Sequence, residues 1–365
     1  MKRFYLLLSG AFLMCSLSHA QVDSTEYTDD EEDYSMYDDL DFAEEGAKRY
    51  CSPKIEGLSP AKLIYFGYDA MSPYSMSLDS LTTKDGQTTY DSHEEKEIIL
   101  THGIRMGCNI PVISKNSIVW QMGLNYWETR FEGADGITPN IVMQQHANTF
   151  RTLGINTTLF KPLDDKQFIL FQGSADLNGD YTFGDMMSLK YLKYSAAVLW
   201  GKRPTEKTQW AVGLARTYRV GELNYIPVIM YNWTDIDNKW GAEVLFPARA
   251  KVRRTINPRN MLLAGFELQG QSYRLYKDPT LRNEDLEIRR GEIRLGIDYQ
   301  FSLKNFIWIS AQAGYRINYR YDVDRLENGN EIYRAFGLLS DAPYAMENSL
   351  SNPLYFNVSL NLVSP

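Results

Sequence analysis

From Ala61 to the C-terminus, apolar side chains recur at every second position in segments of about ten residues, with turn-rich stretches between them. Successive side chains of a strand point to opposite faces, so this alternation predicts strands with one apolar and one polar face. Ile64, Phe66 and Tyr68 share a face in the first segment. Ile104, Met106, Cys108 and Ile110 share one in the second, opposite Thr101, Arg105 and Asn109. The third is the clearest, with Ile118, Trp120, Met122, Leu124 and Tyr126 set against Gln121, Gly123, Asn125 and Thr129. The theme returns in Leu153 to Leu159, Ile169 to Leu177, Tyr194 to Trp200, Trp210 to Leu214, Ile293 to Tyr299 and Ile307 to Tyr319.

A soluble sandwich also alternates, but its outer face is charged and its aromatics lie in the core. Here the polar face is rich in Gly, Asn, Gln and Thr, and Tyr, Trp and Phe gather at strand ends. That is the pattern of an all-β antiparallel transmembrane β-barrel of the outer-membrane type, with aromatic girdles at both interfaces. Beyond the N-terminus no apolar run reaches the length of a membrane helix, the longest lying near Tyr225 to Tyr231. A membrane location therefore requires a closed barrel, which satisfies every backbone group in lipid.

Connection lengths set the strand number. Long polar stretches lie at 73–94, 131–144, 178–188, 275–287 and 322–352, and short ones at 111–116, 161–166, 202–207, 234–238, 257–260 and 302–305. With both termini in the periplasm, the two classes alternate only if residues 239–256 form two short strands reversing at Pro247. This predicts fourteen strands, or twelve if the first or the short strands do not span.

The N-terminus reads as a secretory signal over residues 1–20. Lys2 and Arg3 precede the apolar stretch from Phe4 to Leu17, and Ser18, His19 and Ala20 form a cleavage site ahead of Gln21. Met14 is too bulky to precede a lipidated Cys15. Residues 21–60 hold 13 acidic and three basic side chains and are expected to be a disordered periplasmic tail, whereas the 305 residues of the barrel region balance at 33 against 33. That balance excludes a basic nucleic-acid surface. The tail lacks the ligand spacing of a calcium loop.

The segment Ile226-Pro227-Val228-Ile229, Trp233, Lys239-Trp240, Leu245-Phe246-Pro247, Val252-Arg253-Arg254 and Ala264 to Leu268 resembles a family of uncharacterised outer-membrane β-barrels of Bacteroidota, a domain of unknown function. The resemblance implies fold and location, and no activity.

Catalysis is not expected. The histidines beyond the signal are His93, His102 and His146; a barrel phospholipase would place Ser two residues from His, but His146 is followed by Ala147 and Asn148 and His93 by Glu94 and Glu95, and no His stands out in the Asp-His pair of a barrel protease. The sequence implies no cofactor and no metal. What it does place inside is charge: Arg249, Lys251 and Arg253 on the tenth strand, Glu267 on the eleventh, Glu292, Arg294 and Asp298 on the twelfth, and Arg316 and Arg320 on the thirteenth. Such a set either stiffens the barrel as a paired network or lines a selective path. The expected function is a narrow pore or carrier for small solutes across the outer membrane of a Gram-negative bacterium. The alternative is a non-conducting barrel whose tail or loops bind partners. Expected partners are outer-membrane lipid, the barrel-assembly machinery and small solutes, with no nucleic acid. Cys51 and Cys108 fall at one rim in this topology, which allows a disulfide in an oxidising compartment; the competing reading makes Cys108 a small lipid-facing residue.

Overall fold

Fourteen of the alternating segments form strands in a computed structural model of the chain, which describes residues 50–82, 88–90, 94–134, 149–184, 188–218, 223–276, 285–326 and 344–363. The expected signal and the tail up to residue 49 lie outside the described residues. Strand β1 runs over Lys62–Met71 and continues past Pro73 as Tyr74–Leu78, both parts pairing with β2 (Glu94–Lys115). Proline has no N–H to give to a ladder, which suits that break. Then follow β3 (Ile118–Gly133), β4 (Phe150–Pro162), β5 (Gln167–Gly179), β6 (Leu192–Thr205), β7 (Thr208–Thr217) and β8 (Asn224–Thr234). The second half comprises β9 (Trp240–Phe246), β10 (Arg249–Asn257), β11 (Asn260–Arg274), β12 (Leu286–Lys304), β13 (Ile307–Arg325) and β14 (Leu354–Val363). Neighbours pair antiparallel in chain order, and β14 closes the ring onto β1 from Lys62↔Val363 to Met71↔Tyr355.

The apolar faces read from the sequence point outward. Phe66, Leu124, Ile155, Val198, Leu214 and Ile297 are each more than half exposed on the isolated barrel, as a lipid-facing surface requires. Both barrel termini and the six short turns share one end. The longer connections share the other, except that β9 and β10 reverse at Pro247 and Ala248 as expected.

That hairpin is low. β8 pairs with β9 only from Ile229 to Thr234, although it pairs with β7 along its whole length up to Asn224. On the far flank β11 pairs with β10 only from Asn260 to Glu267, leaving Leu268 to Arg274 without a β10 partner. That upper part of β11 leaves the wall with its β12 partner and folds across the lumen. Its end meets β5 in a parallel bridge, Arg274↔Gly179. All seven residues from Leu286 to Glu292 are buried, so both faces of the folded hairpin are covered. One face joins an apolar cluster with Tyr74, Met76, Ile98, Phe150 and Tyr273, in which the Phe150 and Tyr273 rings stack at 4.6 Å. The other sends Glu287 to Lys193 of β6, at 2.5 Å.

Candidate functional site

The inner faces of β1, β2, β12 and β13 meet around Glu292. Its carboxylate accepts Nε of Arg290 at 2.9 Å and Nε of Arg294 at 2.7 Å, and lies 2.6 Å from Nε of Arg316. Asp69 of β1 contacts Arg105 and, at 3.9 Å, Arg294. An ion withdrawn from water costs several kcal/mol unless paired. This arrangement supplies partners from four strands and fills the lumen at that level. Arg105 also lies 3.8 Å from the Trp127 ring centroid and donates to Gln269 of β11 at 3.1 Å, spanning the interior. Thr152 of β4 donates to Gln271 of β11 at 2.7 Å.

The other expected inward charges distribute below. Lys251 pairs with Glu267 at 2.7 Å, and Asp298 accepts from Gln300 at 2.7 Å and Ser310 at 2.9 Å. Arg249 lines the cavity described below. Arg253 is wholly buried at the short-turn end. Arg320 does not share the face of Glu292. A bulge opposite Gly291 and Glu292 takes Tyr319 out of the ladder register and reverses the alternation beyond it. Arg320 therefore shares with Asp322, 3.9 Å away, the face opposite Glu292, and lies 5.7 Å from the Tyr344 ring centroid. Simple period-two counting could not find that shift. It also left Arg290, Glu243 and Asp69 out of the charged set.

Residues 50–61 lie across the mouth at the short-turn end. Cys51 N–H donates to Asp164 O at 3.0 Å in the β4–β5 turn, and Glu56 N–H to Glu206 O at 2.9 Å in the β6–β7 turn. Thr234 Oγ1 donates to Glu56 O at 2.8 Å. Gly57 turns there at φ 70°, in the left-handed region that glycine enters without strain. Ser59 then binds Glu243 of β9, and three residues later Lys62 begins β1. About 10 Å of chain thus links strands six places apart round the ring, so the barrel is flattened here. The ordered placement of residues 50–60 differs from the tail expected to extend to residue 60. Its apolar members explain it: Cys51 and Ile55 are buried, Cys51 against Phe160, Phe168 and Leu199.

That position also removes the expected disulfide. Cys51 and Cys108 are both free, because Cys51 lies inside the β4–β5 end while Cys108 belongs to the outward series of β2, paired with Ile64 of β1 and Leu124 of β3. His102, also outward, contacts the Tyr68 hydroxyl at 3.0 Å and Glu132 at 3.2 Å. His93 and His146 lie outside the described residues.

Beside Arg105 and the inward end of β11 lies a cavity of about 560 Å³. Asn125, Asn156, Gln172, Asp176, Gln269 and Gln271 give it polar walls, while Ile226, Val228, Leu245, Phe246, Pro247 and Leu268 form an apolar side around the low hairpin. Among the described residues no group of three or more His, Cys, Asp or Glu side chains could hold a metal ion.

A family model, "Domain of unknown function (DUF6268)", matches residues 73–362, which spans all fourteen strands apart from the Lys62–Met71 part of β1 and the last residue of β14. The chain belongs to the DUF6268 family. No curated protein matches it. Among solved structures, this DUF6268 barrel is similar to an outer membrane channel from Pseudomonas putida F1, with 13% identity over 84% of this chain and 97% of that one, TM-score 0.34. It is similar also to the P. putida toluene transporter TodX, with 8% identity over 84% and 91%, TM-score 0.34. A third is the outer membrane protease OmpT of Escherichia coli, with 10% identity over 84% and 99%, TM-score 0.30. These likenesses extend to the barrel and carry nothing about activity.

Proposed function

We propose that this protein is a carrier for small solutes in the outer membrane of a Gram-negative bacterium, by the resemblance a member of Bacteroidota, with the short-turn end and both barrel termini in the periplasm. The observation that carries the reading is the 560 Å³ cavity bordered by Arg105 and by Leu268 to Gln271 of β11, in a barrel also crossed by the Glu292 cluster and by residues 50–61. Its size falls within the range of about 300–1,000 Å³ usual for small-molecule sites. Charges paired this densely brace a lumen and do not line a water-filled path, which favours a carrier over an open pore. A non-enzymatic role accords with the one described histidine, His102, lying on the outer face between Tyr68 and Glu132.

The test is reconstitution of the full-length protein. Planar bilayers are expected to show no steady conductance, while proteoliposomes exchange small solutes. A steady conductance would make it a pore. Neither conductance nor exchange would leave the non-conducting scaffold. Cysteines placed in the 163–166 turn should stay unlabelled from outside intact cells, and labelling there would invert the topology.

A further inference from the structure

The cavity has a side as well as two ends. Above Phe246 and Arg249, among the described residues, no strand lies between Asn224 to Val228 of β8 and Leu268 to Arg274 of β11, because β9 and β10 stop below and β11 turns inward. Five residues of extended strand cover about 16 Å, taller than a small molecule. The borders of this notch also line the cavity: Val228 on one flank, Phe246 to Ala248 beneath, Leu268 on the other. Phe246 is 52% exposed on the lipid-facing side while contributing to the cavity wall, so one residue touches both compartments. The border is apolar, with Leu245 and Leu268 packed against the cluster of Ile226 and Val228. Beyond it the cavity turns polar, towards Asn125, Asn156, Gln269 and Gln271.

An open wall inside a bilayer would expose unpaired backbone to hydrocarbon, which is tolerated only where it lines a cavity. We infer that this notch is a side door through which an uncharged, membrane-partitioning small molecule with one polar end passes between the cavity and the bilayer. This rests on the carrier reading and adds the route and the substrate class. The apolar threshold rejects ions and hydrated sugars, and the amides beyond it receive the polar end. Leu268 is the residue that sets passage, since it is apolar, only partly buried, and sits where the β11 wall ends.

The test uses the full-length protein in proteoliposomes with two probes: N-phenyl-1-naphthylamine, neutral and membrane-partitioning, and glucose. The wild type is expected to move the first between vesicle populations and to exclude the second. Leu268→Arg, which puts a charge at the threshold, should slow transfer about tenfold or more. Leu268→Ala, which only enlarges the doorway, should leave transfer equal or faster, and it guards against a folding defect in the arginine variant. Asn156→Trp, which fills the cavity without touching the notch, should also block transfer. If Asn156→Trp blocks transfer and Leu268→Arg does not, the cavity is used but the side door is wrong. If the wild type moves glucose as readily as the apolar probe, the substrate class is wrong. If the wild type moves neither probe, or Asn156→Trp changes nothing, the carrier reading itself falls.

Discussion

Ser59 donates from Oγ to Oε2 of Glu243 at 2.6 Å, and its N–H donates to the other oxygen of the same carboxylate at 3.0 Å. Glu243 also receives Nη1 of Arg253 at 2.8 Å, and Nη2 of Arg253 donates to Thr234 at 2.9 Å. A fully buried guanidinium thus anchors the crossing segment to β8, β9 and β10. Gly241 sits beside it because a Cβ there would lie 2.3 Å from Arg253 Nη2.

Glu243→Ala removes the acceptor and leaves Arg253 buried with Thr234 alone. Breaking a buried pair on one side costs about 3–5 kcal/mol. The urea midpoint of the refolded barrel should fall accordingly, and limited proteolysis near Lys54 should become fast. An unchanged midpoint with a still-protected Lys54 would show that the segment does not depend on this carboxylate.

Arg316 and Arg320, four residues apart on one strand, should respond very differently. Arg316→Gln takes a wholly buried partner from Glu292 and should lower stability by about 3 kcal/mol. Arg320→Gln removes a partly exposed, 3.9 Å contact on the face opposite Glu292 and should cost less, about 1 kcal/mol. Thermal unfolding followed by the heat-induced shift in gel mobility separates the two. Equal losses would mean that the bulge at Tyr319 does not reverse the face.

Mass spectrometry after alkylation without reductant should find two free thiols. Burial pushes the Cys51 thiol above its ordinary pKa, so less of it is the reactive thiolate at a given pH. Its modification at pH 8 should therefore be slow in the folded protein and should accelerate on unfolding in denaturant. Rapid modification of Cys51 in the folded state would place it outside the β4–β5 end.

The lipid face was legible because the outward series from Ile64 to Tyr319 is mostly apolar, and period two then reports the fold directly. The β9–β10 reversal was legible through the alternation of long and short connections, with Pro247 at the break. What lay beyond such reading depends on strands that are not neighbours. Leu286, Glu287, Ile288 and Arg289 alternate like a wall strand, yet both their faces are buried, because one meets the apolar cluster and the other meets Lys193 across the lumen. Opposite charges on adjacent strands predict a ladder network, and Asp69–Arg105, Lys251–Glu267 and Glu292–Arg316 are such pairs. Beyond that reading lie Asp69 with Arg294, which joins β1 to β12 across the lumen, and Glu292 with Arg290 and Arg294 on its own strand. The burial of Cys51 was not legible because Cys51 and Ile55, isolated in a short segment before β1, carry no periodicity.

The seven residues of β9 have a further consequence for the lipid itself. At about 3.3 Å per residue and a tilt near 40°, they span roughly 18 Å along the bilayer normal, short of the ~25 Å apolar band of such barrels. Mismatch of that size is relieved by local thinning. The annulus around this protein is therefore uneven, with acyl chains beside Phe246 and Val252 shortened or splayed while those beside β12 and β13 stay at full length.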